Sequence, residues 1–213
     1  MKRFTQALIA VIALCTAQLA LSQEAIEITS GTDKATPIAV VPFGWQGSAP
    51  LSEDLADISA NDLRNTGMFA PMERSNMLSY PVRGEEINSR DWKMIGVDYV
   101  VVGQVTNQPG TDRYELNYSL YSILREQVLL SKTVSGTQSQ LRDMAHHLSD
   151  EVFEEITGIK GAFNTKLLYV AAERFSADNT RYTLQRSDYD GARASTLLQS
   201  REPILSPSYA PDG

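Results

Sequence analysis

The chain has 213 residues, 42% of them hydrophobic, enough for one domain of ordinary size and part of a second. Its 19 Lys and Arg stand against 26 Asp and Glu, a net charge of −7 at pH 7. No basic stripe interrupts that acidity, and nucleic acid is excluded as a partner because phosphate contacts need clustered Lys and Arg.

Residues 1–22 read as a secretory signal. Lys2 and Arg3 form a basic start, an apolar run follows from Ala7 to Leu14, and Ala20 and Ser22 prepare a cut before Gln23. The run is too short to span a bilayer comfortably, so no membrane span is expected after cleavage. Cys15 would suit lipid attachment only with a small residue ahead of it, and Leu14 stands there. Cleavage would leave 17 Lys and Arg against 26 Asp and Glu, and no cysteine. The mature chain must then rely on a packed core rather than disulfides.

Gln23 to Asp33 has a separate character. Ile26 and Ile28 alternate with Glu27 and Thr29 before Ser30-Gly31-Thr32-Asp33 breaks the pattern. A frayed terminus and a mobile strand that pairs with a sheet edge both fit it.

Pro37 to Phe43 is a continuous apolar run, the mark of a short buried strand. A helix is expected over Leu51–Thr66, with Ser52 as N-cap and Gly67 as its stop. Asp62 falls near the apolar face of that helix, where a hydrogen bond to nearby backbone is the expected use of its side chain. Met68–Met72 suggests a strand, Ser89–Ile95 a short helix closed by Gly96, and Asp98–Val105 a central strand. Arg113–Leu124 and Gln127–Val134 alternate as antiparallel strands do. Gln138–Thr157 is the longest helix, with Leu141, Met144, Ala145, Leu148, Val152, Phe153 and Ile156 on one face. The order β-α-β-α-β-β-β-α predicts an α/β domain over 34–160, a mixed sheet with helices packed on it.

Beyond Gly161 the pattern changes. Lys166–Ala172, Arg181–Ser187 and Ala194–Gln199 read as strands, separated by turns at Ser176–Asn179 and Asp188–Gly191. Ser206 to Gly213 then looks like the lead-in to a further strand. Residues 161–213 are expected to begin an all-β propeller that is incomplete in this chain.

The Tyr169 strand, Ser187-Asp188-Tyr189-Asp190-Gly191 and Ile204–Gly213 resemble blades of the TolB family. So do Ile38–Phe43, Asp62–Phe69, Trp92 with Ile95–Gly103, and Ser149–Glu154 leading into Thr157–Phe163. Tyr209 stands where that family usually carries Trp. The resemblance implies a non-enzymatic periplasmic adaptor of the Tol-Pal system, without cofactor or metal. Such an adaptor links the inner-membrane protein TolA to the outer-membrane lipoprotein Pal and supports envelope integrity and constriction at division. It also implies that the N-terminal segment engages a TolA-like protein through Glu24, Ile26, Glu27, Ile28, Thr29, Ser30 and Gly31. A Pal-like lipoprotein would be engaged by the propeller.

The residues offer little catalytic chemistry. No Gly-x-Ser-x-Gly elbow and no phosphate-cradling glycine loop is present. His146 with Asp150, or His147 with Glu151, has the spacing of metal ligands one helical turn apart, but two ligands on a surface helix leave a site incomplete. Asp188-x-Asp190-Gly191 lacks the later carboxylates of a calcium loop and reads as a hairpin turn. Two alternatives remain: an exported hydrolase with its catalytic domain beyond Gly213, and a stand-alone α/β binding module.

Overall fold

The apolar run at Pro37 becomes β1 (Thr36–Val40), and its lack of alternation has a direct cause: both of its faces are covered. Ile38 and Val40 pack into one core with two helices, whereas Ala39 and Val41 pack into a second core on the opposite face. The computed structural model describes residues 34–47, 49–176 and 179–210.

The first sheet also contains β2 (Gly44–Trp45), β3 (Phe69–Pro71), β4 (Tyr99–Asn107), β5 (Tyr114–Ser122) and β6 (Gln127–Gly136). Its order is β3-β1-β4-β5-β6, with β2 pairing the far end of β4. β1 runs parallel to β3 and β4, while β4, β5 and β6 are antiparallel, so the sheet is mixed as expected. The two-residue β2 was not anticipated, because so short a pairing leaves no periodic trace.

Helix α1 (Leu55–Asn65) and helix α3 (Leu141–Thr157) share one face of this sheet. They approach closely enough for the buried Ser59 hydroxyl to donate to the Ala145 carbonyl at 3.2 Å. Helix α2 (Ser89–Met94) covers the other face, where Trp92 fills the second core. Gly96 and Gly158, at φ 76° and 72°, end α2 and α3 in the left-handed region that favours glycine.

Helix α1 begins at Leu55, four residues later than its sequence suggests. Asp54, not Ser52, is the N-cap: its carboxylate accepts from the Asp57 amide at 3.0 Å and is held by Arg74 at 2.8 Å. Leu51 is thereby freed to pack against the core. At α3, Gln138–Gln140 forms a single 3₁₀ turn, and Thr137 and Gln140 cap it reciprocally.

The second sheet is antiparallel, in the order β7 (Lys166–Ser176), β8 (Asn179–Asp188), β9 (Ser195–Ser200). β7 and β8 are longer than the apolar runs that announced them, because backbone pairing extends through Glu173–Arg181 and Arg174–Thr180, whereas β9 has the expected length, shifted by one residue. Both sheets are open. Residues 201–210 add no strand to either.

Leu148 is fully buried between α3 and the first sheet, whereas Met94 is exposed. Leu148→Ala should cost about 2–5 kcal/mol by urea denaturation, and Met94→Ala within about 0.5 kcal/mol.

Candidate functional site at the junction of the sheets

The Asp62 side chain is anchored by residues far away in sequence. Its Oδ2 lies 2.8 Å from His146 Nδ1 on α3, and its Oδ1 accepts the Tyr189 hydroxyl at 2.6 Å from the β8–β9 turn. The partners are 84 and 127 residues distant, which corrects the expectation of a bond to nearby backbone. The side chains of Asp62 and His146 are each only 1% exposed. This also corrects the picture of a surface helix carrying both histidines: His146 is interior, and only the half-buried His147 reaches solvent, 3.8 Å from Glu151.

Aromatic packing seals the network. The Tyr189 ring meets His146 edge-on at 5.4 Å and Phe163 at 5.4 Å, and Phe163 meets Phe153 edge-on at 5.7 Å. Burial, and then the Asp62 carboxylate beside it, push the Tyr189 phenol well above its ordinary range. Tyr189 therefore stays protonated and donates.

Around this interior lies a charged layer centred on Asp188, whose side chain is 3% exposed. It accepts from Lys166 Nζ at 2.7 Å and Arg193 Nε at 2.7 Å, and Arg142 Nε pairs with it at 3.3 Å. Asp143 on α3 binds Lys166 at 2.8 Å and also pairs with Arg193. Arg142 reaches on to Asp190 and, at 3.5 Å, to Glu53. The Asp188–Gly191 segment is a turn, as expected, with the Gly191 amide on the Asp188 carbonyl at 3.0 Å. Sequence reading did not give its carboxylates this second role of tying β8 to α3.

Burial alone would raise the Asp188 and Asp143 carboxyls, but the Arg193 and Lys166 bonds outweigh it and hold both below their ordinary values. A carboxylate with a depressed folded value binds its proton more readily when unfolded, so its contribution is complete above the unfolded value of 3.8 and is lost as pH falls through the folded value. Asp188→Asn should flatten the loss of stability seen on acidification below about pH 4. Urea midpoints across that range read it out; an unchanged slope would contradict the assignment.

The connecting segment is fixed by Asp150. Its carboxylate accepts the Phe163 amide at 2.6 Å and the Asn164 amide at 3.2 Å, while burial nevertheless pushes its carboxyl up. Gly161 sits so close that an added Cβ would lie 2.6 Å from Asp150 Cα. Gly161→Ala should therefore destabilise the chain by about 1–3 kcal/mol, seen as a lower denaturation midpoint.

The partner-binding residues expected from sequence, Glu24, Ile26, Glu27, Ile28, Thr29, Ser30 and Gly31, lie outside the described residues. Asp62, His146, Tyr189 and Asp190 are the junction residues that sequence reasoning left unconnected. The one available signal was a carboxylate placed near an apolar helix face.

These features define a bipartite scaffold: a helix-covered mixed sheet clamped through polar side chains to propeller-type antiparallel strands. The chain belongs to the TolB family. The TolB amino-terminal domain matches residues 24–129, and the TolB beta propeller domain matches residues 153–213. "Tol-Pal system protein TolB" of Pseudomonas syringae pv. syringae is 57% identical over 97% of this chain, and its namesake in Pseudomonas fluorescens SBW25 59% over 95%. The chain spans 47% of the length of each. The crystal structure of TolB from Acinetobacter baumannii aligns with a TM-score of 0.72 at 34% identity, over 84% of this chain and 42% of that one.

Proposed function

We propose that the chain serves as a non-enzymatic periplasmic adaptor of the Tol-Pal system. The observation that carries this is the 57% identity over 97% of the chain to proteins named for that system. On this reading residues 1–22 are removed on export, and residues 23–33 form a mobile strand that a TolA-like inner-membrane protein captures. The capture residues are Glu24, Ile26, Glu27, Ile28, Thr29, Ser30 and Gly31. Residues 34–160 then act as the α/β domain, and residues 161–213 contribute to the propeller that a Pal-like outer-membrane lipoprotein engages.

The physical chemistry suits adaptor work. An extended peptide that adds to a partner's sheet edge gains main-chain hydrogen bonds along its length, with alternate side chains giving selectivity. The acidic balance of the chain adds long-range steering toward basic partner surfaces. The α/β domain and the second sheet are joined through buried and charged contacts, a physical route by which an event on one could bias the other. If propeller occupancy alters how firmly the leading strand docks, the coupling is reciprocal. Among the described residues no helix is long and apolar enough to cross a membrane.

The Asp62–His146–Tyr189 trio supports a positioning role better than catalysis. The tyrosine hydroxyl donates to the carboxylate rather than to the imidazole, and Asp62 and His146 are sealed from solvent. Deleting residues 23–33 should abolish capture by a purified TolA-like protein while circular dichroism and the denaturation midpoint of the remainder stay unchanged. Capture that survives the deletion would refute the assignment of that segment.

A further inference from the structure

Strand β6 ends the first sheet. It pairs with β5 on one side, and the order β3-β1-β4-β5-β6 places no strand on its other side among the described residues. The N–H and C=O groups that alternate toward that side are an open template for another strand. The opposite edge, β3, is three residues long, whereas β6 has ten. The usual protections of such an edge are sparse here: Gln127–Gly136 holds no proline and a single charge, Lys132. A bulge interrupts the pairing between Leu130 and Val128, and from Leu130 to Gly136 the register is unbroken.

The flank of α3 decides what an added strand must carry. A Cβ on Gly136 would meet the Met144 sulfur at 3.0 Å, and Lys132 is paired with Glu151, so α3 runs back along β6. His147, Glu151 and Glu155 recur at four-residue steps on that flank, with Glu154 beside them. Glu154 and Glu155 are exposed and Glu151 is half-buried, so three carboxylates stand against one lysine next to the open edge. The other face of β6 is polar: the Ser119 hydroxyl donates to Ser131, and the Thr133 hydroxyl to Asn117.

We propose that β6 is a docking edge for an extended basic peptide, added as a further strand with Lys or Arg toward α3 and small polar residues on the opposite face. Charge decides the occupant. The chain's own residues 23–33 carry Glu24, Glu27 and Asp33 and no Lys or Arg. A second copy paired about a two-fold axis through β6 would bring two acidic α3 flanks together, and like charges repel. A basic peptide gains main-chain hydrogen bonds from β6 and ion pairs from Glu154 and Glu155. The inference is independent of which partner takes residues 23–33.

A capped, fluorescently labelled peptide of about eight residues that alternates lysine with threonine is long enough to cover Leu130–Gly136 and serves as the probe. Titrated with the full chain, its anisotropy should rise saturably, at lower protein concentration in low salt, and amide exchange should slow between Leu130 and Gly136. Glutamate in place of each lysine should abolish binding. Methylating the peptide's backbone nitrogens keeps its charge but removes the strand donors, and should weaken binding at least about tenfold. Glu154→Lys combined with Glu155→Lys, both exposed and outside the core, should weaken it by about tenfold as well. The proposal is overturned if the lysine peptide does not saturate, if the methylated peptide binds equally well, if the double reversal changes nothing, or if protection appears on β7 or β9 instead. A concentration-dependent dimer with protected β6 amides would assign the edge to a second copy and overturn it too.

Discussion

The structure depends on one buried carboxylate that answers to two parts of the chain at once. Asp62 stands on a helix of the mixed sheet, yet its oxygens are shared between a histidine of the neighbouring helix and a tyrosine of the propeller-type strands. A charge taken out of water costs several kcal/mol unless its lone pairs are met, and removing one partner of a buried pair costs about 3–5 kcal/mol. The carboxylate therefore ties α1, α3 and the β8–β9 turn together, because each of its oxygens is met by a side chain from a different element.

The layer outside it works by a different balance. Arg142, Lys166 and Arg193 converge on Asp143, Asp188 and Asp190, and most of these groups are partly wetted. Each exposed pair contributes little alone, because water screens it and two long side chains lose freedom. Their value here comes from the shared centre: Asp188 is almost wholly buried and meets three cations. The inner network fixes position, and the outer one resists separation of α3 from the second sheet.

The glycines and caps at the junction serve the same end. Gly158 ends α3 at positive φ, and Gly161 lets the chain pass against Asp150, whose carboxylate then collects the amides of Phe163 and Asn164. Phe163 turns inward and links the Phe153 ring to Tyr189. A short connection thus delivers both an aromatic bridge and the start of β7.

Much of the fold was legible because burial writes itself into spacing. The run at Ile38–Val41, the three- and four-residue steps from Leu141 to Phe153, and the alternation along β5 each announce how many faces of an element meet the core. By itself the sequence determined the types of the longer elements, the mixed α/β sheet followed by antiparallel strands, and the family. The start of α1 was misjudged because Ser52 and Asp54 are both competent caps, and Arg74, a residue distant in the chain, decides between them. Only the tertiary structure decided the order β3-β1-β4-β5-β6, the interior place of His146, and the meeting of Asp62 with Tyr189. Local periodicity records whether a side chain is buried, but which residues it meets there is set by long-range packing, and no spacing along the chain encodes that.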